Sequence, residues 1–135
     1  MLYIRSLRFK AVLWGVLVDT IGTAIVAMSL IFAMAAAGIP EAEITARIQG
    51  FSGLMLMLIL GLGFTLIGGY VAGRTAGRLE ILHGAIVAGI GVVLGLFLRD
   101  PGMPLWYEAI SFAAMLPIGM AGGYIAREGN VKKKS

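Results

Sequence analysis

The sequence predicts an all-α membrane protein whose four transmembrane helices are arranged as two tandem (parallel-repeat) helical hairpins, with both termini in the cytoplasm. Three observations lead to this fold class. The chain has 135 residues, of which 59% are hydrophobic and 13% are charged, so it has too little polar surface to cover a soluble globule. Its apolar residues form four segments of spanning length, and its basic residues collect on one side of them.

The four segments cover residues 11–38, 51–73, 79–98 and 104–126. Each is long enough to cross a hydrocarbon core of about 30 Å, which needs roughly 20 apolar residues. Because the spans use nearly the whole chain, we expect residues 1–135 to form a single integral membrane domain without a separate catalytic domain.

The first span follows a basic segment and ends on small residues around Met34, a pattern that is also typical of a secretory signal peptide. We favour an uncleaved first helix, because the apolar run is longer than a signal peptide requires and contains Asp19.

The stretch between the first two spans begins with Pro40, a residue suited to the first turn of a helix. Ile44, Ile48 and Phe51 then follow at helical spacing. This stretch is expected to extend the second helix outward or to lie on the membrane surface, with a gating or partner-docking role as the alternative.

The lysines and arginines are divided unequally between the two sides of the spans. Only Arg47 and Arg99 fall on the outer side, and the remaining nine share the side of the termini. By the positive-inside rule, this distribution places both termini in the cytoplasm. The nine residues are Arg5, Arg8, Lys10, Arg74, Arg78, Arg127, Lys132, Lys133 and Lys134.

An internal repeat supports the hairpin arrangement. The segment GGYVAGR at residues 68–74 is nearly rewritten as GGYIAR at residues 122–127. Shifting the first span by 69 residues also aligns it with the third, with five identities in ten positions. Both hairpins start on the same side, so the repeat is expected to be parallel, with a pseudo-two-fold axis along the membrane normal.

The 20 glycines of the chain would weaken helices in water, but between membrane helices they let backbones approach closely. Many recur every three or four residues and so form stripes of small residues. We expect these stripes to be buried and the Leu, Ile and Met side chains to face lipid. The predicted packing positions are Gly15, Gly22, Gly61, Gly69, Gly73, Gly84, Gly91, Gly95, Gly122 and Gly123.

Asp19 is the sharpest candidate for chemistry, since it lies about 12 Å along the first helix from Ala11. An ionised aspartate at this depth costs roughly 2.5 to 3.5 kcal/mol, so it should be neutral, paired or in contact with water. One interpretation is a carboxylate that binds a proton or a cation. The other is a structural hydrogen bond to Thr20, to Thr23 or to a neighbouring helix. In the second hairpin Ala88 takes the position of Asp19.

His83 takes the position that Trp14 has in the first hairpin. It is a candidate for a proton relay with Asp19, with a hydrogen-bonded structural histidine as the alternative. Glu80 and His83 also have the Glu-x-x-His spacing of di-iron bundles. Such sites need further carboxylates on facing helices, which the sequence does not offer, so no metal is expected.

Basic residues at the cytoplasmic ends of the helices are predicted to contact anionic lipid headgroups. If the connection after the second span stays helical, Arg74 and Arg78 lie on one face, where their guanidinium groups can bind phosphate. The alternative is that they only anchor the topology. The complete set of predicted lipid contacts is Arg74, Arg78, Arg127, Lys132, Lys133 and Lys134.

Several function classes find no support in the sequence. There is no cysteine and no Ser-His-Asp order, so no enzymatic activity and no cofactor are predicted. The net charge of +4 comes from the ends of the spans, which favours anionic lipid over nucleic acid as the partner.

The run GGYVAGRTAGRLEILHGAIVAG at residues 68–89 resembles a signature, GGYxAGRxAG followed by LHGxxxG, of small four-helix prokaryotic membrane proteins of unknown function. It covers about a sixth of the chain. The resemblance implies four spans in a prokaryotic cytoplasmic (inner) membrane and implies no activity. The position of Asp19 is also similar to that of the essential acidic residue in small multidrug transporters, although the surrounding residues do not follow that family's pattern.

Two functional hypotheses follow. In the first, which the sequence favours, the chain is a structural or accessory subunit that packs through its glycine-rich helix faces, as a homo-oligomer or within a larger membrane complex. In the second, it is a small proton- or cation-linked transporter or channel that uses Asp19.

Overall fold

The computed structural model describes residues 7–134, with side chains as far as Lys133. Of the nine basic residues on the side of the termini, Arg5 and the side chain of Lys134 therefore lie outside the described part. Within it the chain forms five α-helices and no strand. They are α1 (Phe9–Ala36), α2 (Glu41–Gln49), α3 (Phe51–Ala76), α4 (Glu80–Phe97) and α5 (Leu105–Lys134).

Helices α1, α3, α4 and α5 are each long and apolar enough to cross a membrane. They coincide with the four predicted spans, so the all-α class and the four candidate spans are confirmed. The largest difference between a predicted span and the observed helix is at the C-terminus, where α5 continues past the predicted limit at residue 126. The sequence after that limit contains no proline and only one glycine, so nothing there ends the helix.

Helix α2 is a separate short helix and not an extension of α3. Gly38 has a left-handed backbone (φ 78°), which turns the chain after α1. Gly50 then has an extended backbone (ψ 160°), which interrupts the path between α2 and α3. Ile44 is the buried residue of α2, and an ion pair of 2.7 Å joins Arg47 to Glu43 on its exposed side.

The four long helices pack so that α3 and α4 lie between the other two. Both α3 and α4 contact each other, α1 and α5, whereas within residues 7–134 α1 and α5 do not contact one another. We call the half of the bundle that holds the start of α1 and the end of α3 the basic half. The opposite half holds α2 and the loop between α4 and α5.

Helix backbones come closest in the basic half, at glycines. A Cβ atom on Gly15 of α1 would lie 2.6 Å from the carbonyl oxygen of Gly68 on α3. A Cβ atom on Gly69 or Gly84 would collide with the backbone of Gly119 on α5. These glycines therefore let α1, α3, α4 and α5 approach at distances that no other residue allows.

The other glycines predicted to pack have different surroundings. Gly22, Gly91 and Gly95 are covered by side chains of neighbouring helices, and Gly73, Gly122 and Gly123 lie against neighbouring backbone or Cβ atoms. A Cβ atom on Gly61, in contrast, would meet no heavy atom within 4 Å. Gly119, which was not among the predicted packing positions, lies against Gly69 of α3 and against Gly84 and Ala88 of α4.

The apolar side chains divide as expected for a membrane bundle. Val12, Ala72 and Val87 form a buried cluster in the basic half. Many large apolar side chains point away from the bundle, including Ile25, Met28, Phe32, Ile59 and Phe97. Such an exposed apolar surface suits contact with lipid and not with water.

Candidate functional site

Asp19 lies near the middle of the bundle, about 15 Å along α1 from Phe9. It is only 6% exposed. Its Oδ1 atom accepts a hydrogen bond of 3.1 Å from the hydroxyl group of Thr65 on α3, which is itself 1% exposed. Of the predicted partners, the structure therefore selects a neighbouring helix and not Thr20 or Thr23.

Two glycines make room for the Asp19 side chain. A Cβ atom on Gly68 of α3 would lie 2.9 Å from the Asp19 Cβ atom, and one on Gly91 of α4 would lie 3.4 Å from Asp19 Oδ2. A larger residue at Gly68 would push Asp19 away from Thr65. The glycines of α3 and α4 thus set the position of the carboxyl group between these two helices.

The Thr65 hydroxyl group has two possible acceptors. Its Oγ1 atom lies 3.1 Å from Asp19 Oδ1 and 3.2 Å from the carbonyl oxygen of Gly61, one turn earlier in α3. A hydroxyl group has one proton to donate and can also accept. When Asp19 is ionised, Thr65 can donate to it. When Asp19 is protonated, it can donate to Thr65, which then donates to Gly61. The site offers hydrogen bonds to both forms.

Asp19 also lines a cavity of about 320 Å³ in the opposite half of the bundle. The cavity runs from Asp19 to Ile48 of α2 and Met103 of the loop between α4 and α5. It lies between α1 and α5, the two long helices that do not contact each other, and α3 forms its back wall. Its lining consists of Asp19, Thr23, Ile48, Met57, Leu58, Gly61, Leu62, Thr65, Met103, Tyr107, Ser111 and Met115.

The lining gives the cavity a simple electrostatic character. Asp19 is its one carboxylate, and no Lys, Arg or His is among the lining residues. Hydroxyl groups of Thr23, Thr65, Tyr107 and Ser111 are its other polar groups, and the remaining surface is aliphatic or thioether. An apolar cavity with a few convergent polar groups is typical of a small-molecule or ion site. An ionised Asp19 would face no counter-charge from these lining residues.

His83 is fully buried in the basic half, where it joins the starts of α1 and α4. Its Nε2 atom accepts a hydrogen bond of 3.1 Å from the backbone N–H of Arg8. The Nδ1 atom lies 2.9 Å from the carbonyl oxygen of Leu79, so the neutral tautomer that donates from Nδ1 satisfies both contacts. Leu79 has a left-handed backbone (φ 48°), which this hydrogen bond helps to hold.

The structure does not bring Asp19 and His83 together. Asp19 lies about 16 Å along α1 from Arg8, the residue that His83 binds. Both ring nitrogens of His83 are occupied by backbone groups. The direct hydrogen bond of a proton relay is therefore not formed, and the geometry is that of a structural histidine. Among residues 7–134, no three His, Asp or Glu side chains group closely enough to hold a metal ion.

The predicted common face of Arg74 and Arg78 does not form. Helix α3 ends at Ala76 because Gly77 is left-handed (φ 64°), so Arg78 lies in the turn and not on the helix. The Arg74 guanidinium group donates to Asn130 Oδ1 at 3.0 Å, and Asn130 Nδ2 donates to Glu80 Oε1 at 3.1 Å. These bonds tie the ends of α3, α4 and α5 together.

The other predicted lipid contacts remain at the surface of the basic half. Arg78, Arg127, Lys132 and Lys133 are exposed, and the structure shows no ion pair for any of them within the described residues. Their side chains are thus available to anions from outside the chain.

Most of the cavity lining was not predicted from the sequence. Thr65 carried a usable signal, because it is the polar residue at the middle of the second span. A buried hydroxyl group at that depth needs a partner, and Asp19 is the polar group at a similar depth in the first span. Met57 and Met115 carried no such signal, since apolar residues in spans ordinarily face lipid.

No protein-family model, curated protein or solved structure matches this chain. A proposal about function therefore rests on the chemistry of the cavity.

Proposed function

We propose that the chain is a small membrane transporter or channel in which Asp19 binds a proton or a monovalent cation. One observation carries the proposal: a carboxyl group near the middle of the bundle ends a cavity that has no positive charge among the described residues of its lining. An ionised carboxylate in such surroundings is costly unless a cation or a proton compensates it. The ion that compensates it is then the transported or coupling ion.

The hydrogen bonds around Asp19 suit an exchange of protons. Thr65 can donate to the ionised carboxylate or accept from the protonated acid, and Gly61 supplies the second acceptor in the latter case. Neither form leaves the hydroxyl group without a partner. A site that satisfies both forms can alternate between them without rearranging the helices.

We infer from the positive-inside rule that the basic half faces the cytoplasm. The cavity then lies in the outer half, while the glycine contacts of α1, α3, α4 and α5 close the cytoplasmic half. In this state the ion would reach Asp19 from the outer side. Release to the cytoplasm would require the contact between Gly15 and Gly68 to loosen.

The proposed tandem repeat relates Asp19 and Thr65 to a second pair of residues in the other hairpin. The shift of 69 residues makes Ala88 the counterpart of Asp19. The alignment of residues 68–74 with the segment that begins at residue 122 is a shift of 54 residues, and it makes Gly119 the counterpart of Thr65. Both pairs are in contact, since a Cβ atom on Gly119 would lie 2.6 Å from the Ala88 Cβ atom. This equivalence supports the repeat. It also suggests that one hairpin keeps a polar pair where the other has a close apolar contact.

Transport assays with the purified chain in liposomes would test the proposal. An imposed proton gradient, with Na⁺ or K⁺ inside or outside, should drive a flux that Asp19→Asn abolishes. Asp100→Asn is the matched control, because Asp100 is an exposed loop residue outside the cavity. If Asp19→Asn carries the same flux as the unaltered chain, Asp19 is not the ion site and the proposal is wrong.

The accessory-subunit hypothesis stays a prediction. At every glycine predicted to pack except Gly61, an added Cβ atom would lie within 4 Å of another part of the same chain. The glycine stripes are therefore engaged inside one molecule. A second copy or a larger complex would have to use the outward-facing Leu, Ile, Phe and Met side chains instead.

A further inference from the structure

A second cavity lies at the surface of the basic half, between the start of α4 and the end of α5. Its volume is about 440 Å³. We call it the inner groove, and its lining consists of Leu79, Glu80, Ile81, Leu82, Ala85, Met120 and Arg127. The groove has no residue in common with the Asp19 cavity.

The floor of the inner groove is helix backbone. A Cβ atom on Gly123 of α5 would lie 2.8 Å from the Ile81 Cα atom and would collide with the carbonyl oxygen of Glu80. The two helices therefore touch here, and apolar side chains flank the line of contact. Leu82 is 38% exposed and Met120 is 43% exposed. The walls are open to the surroundings of the bundle.

The groove runs along the membrane direction from a charged end to an apolar end. Arg127 lies seven residues after Met120 in α5, which corresponds to about 10 Å along the helix. Ala85 lies in the second turn of α4. If the end of α5 lies at the headgroups of a bilayer, the groove extends from there into the region of the first acyl carbons.

Arg127 is the one cation among the lining residues of the groove, and Glu80 is the one acid. Arg127 is exposed, and within residues 7–134 it has no ion pair or hydrogen bond from its side chain. The neighbouring acids are already engaged: Glu80 accepts from Asn130, and Glu128 interacts with the hydroxyl group of Tyr124. Neither acid pairs with the Arg127 guanidinium group, which can therefore bind an external anion.

We propose that the inner groove binds one anionic phospholipid, with its phosphate at Arg127 and an acyl chain along Ala85 and Met120. A soluble anion would use only Arg127, whereas the apolar walls match a ligand that combines a phosphate with a hydrocarbon chain. Leu79 completes the wall at the mouth of the groove. The hydrogen bond from His83 to its carbonyl oxygen fixes the turn on which Leu79 lies.

The test compares two arginines of the same surface. The purified full chain would be equilibrated in mixed phosphatidylglycerol and phosphatidylcholine, and the lipid retained by each molecule would be measured by native mass spectrometry. Arg127→Gln should lower the retained phosphatidylglycerol about fivefold, the effect of one basic residue near a charged membrane surface. Arg78→Gln removes the same charge outside the groove and should leave retention nearly unchanged. Circular dichroism would check the helical content of each variant.

A third variant tests the apolar walls of the inner groove without changing its charge. Ala85→Trp fills the apolar end and keeps every arginine, so it should also displace the retained phosphatidylglycerol. Equal losses in Arg127→Gln and Arg78→Gln would mean a diffuse attraction of lipid to the basic end, and the proposal would fail. Full retention by Ala85→Trp would overturn it as well. Neither result depends on whether Asp19 supports a flux.

Discussion

Replacing Thr65 by valine removes one hydroxyl group and keeps the shape of the side chain. The change deletes the hydrogen bond of 3.1 Å to Asp19 and leaves the buried carboxyl group without its partner on α3. Hydrogen bonds between membrane helices contribute about 0.6 kcal/mol on average and about 1.7 kcal/mol at most. The bond to Asp19 joins two nearly inaccessible groups, so we expect the loss in stability to exceed this average, at about 1 kcal/mol.

Asp19→Asn provides the complementary change, because an asparagine amide oxygen can still accept the hydrogen bond from Thr65. We therefore expect Thr65→Val to have the larger effect on stability and Asp19→Asn to have the larger effect on flux. Thr65→Val should unfold more easily in denaturant titrations in detergent and should keep a reduced flux. Asp19→Asn should keep its stability within about 0.5 kcal/mol, in the range of an ordinary tolerated substitution, and should lose its flux.

The control for helix α3 is Thr75→Val, since Thr75 is exposed near the end of the same helix. Thr75→Val should change neither the stability in denaturant nor the flux. Should Thr65→Val leave the stability unaltered, the hydrogen bond to Asp19 does not hold α1 against α3. Should Asp19→Asn destabilise the chain as much as Thr65→Val, the carboxylate has a structural role and the reasoning about ion binding is refuted.

Two further predictions concern the basic half. Gly68→Ala places a methyl group 2.6 Å from a carbonyl oxygen of α1 and should cost about 1 to 3 kcal/mol by overpacking, whereas Gly63→Ala enters open space and should be neutral or slightly stabilising in the same denaturant titration. His83→Ala removes the bonds to the Arg8 N–H and the Leu79 carbonyl and should cost about 1 to 3 kcal/mol, while the flux per folded molecule stays unchanged. If His83→Ala loses flux without losing stability, the hypothesis of a proton relay between Asp19 and His83 is favoured again.

The number and approximate limits of the spans could be predicted from the sequence because they depend on local hydropathy. A run of about 20 apolar residues has no alternative to a bilayer, wherever its neighbours lie. The separate helix α2 was harder to predict. Whether the chain continues from Gln49 into α3 or turns at Gly50 depends on one backbone angle, and glycine allows both outcomes.

The candidate site could be predicted only in part. Asp19 was identifiable because a carboxylate in a span is unusual whatever surrounds it. Its partner Thr65 and the cavity depend on which helices touch, and the glycine stripes do not contain that information. The same stripe can pack inside one chain or between two chains. His83 illustrates the same limit, since its role follows from the turn at Leu79 and not from the type of side chain.

The close contact between Ala88 and Gly119 bears on how many charges one molecule can hold. Ala88 lies one helical turn before Gly91, the residue that borders the Asp19 carboxyl group. If the two hairpins arose by gene duplication and both had kept an acid at this position, two like charges would have lain within the same bundle, in a medium of low polarity. Divergence of one copy to alanine removes that repulsion. A fused chain can make this asymmetric choice, whereas a dimer of identical hairpins cannot, so under the proposed ion binding one molecule would hold one ion at this level.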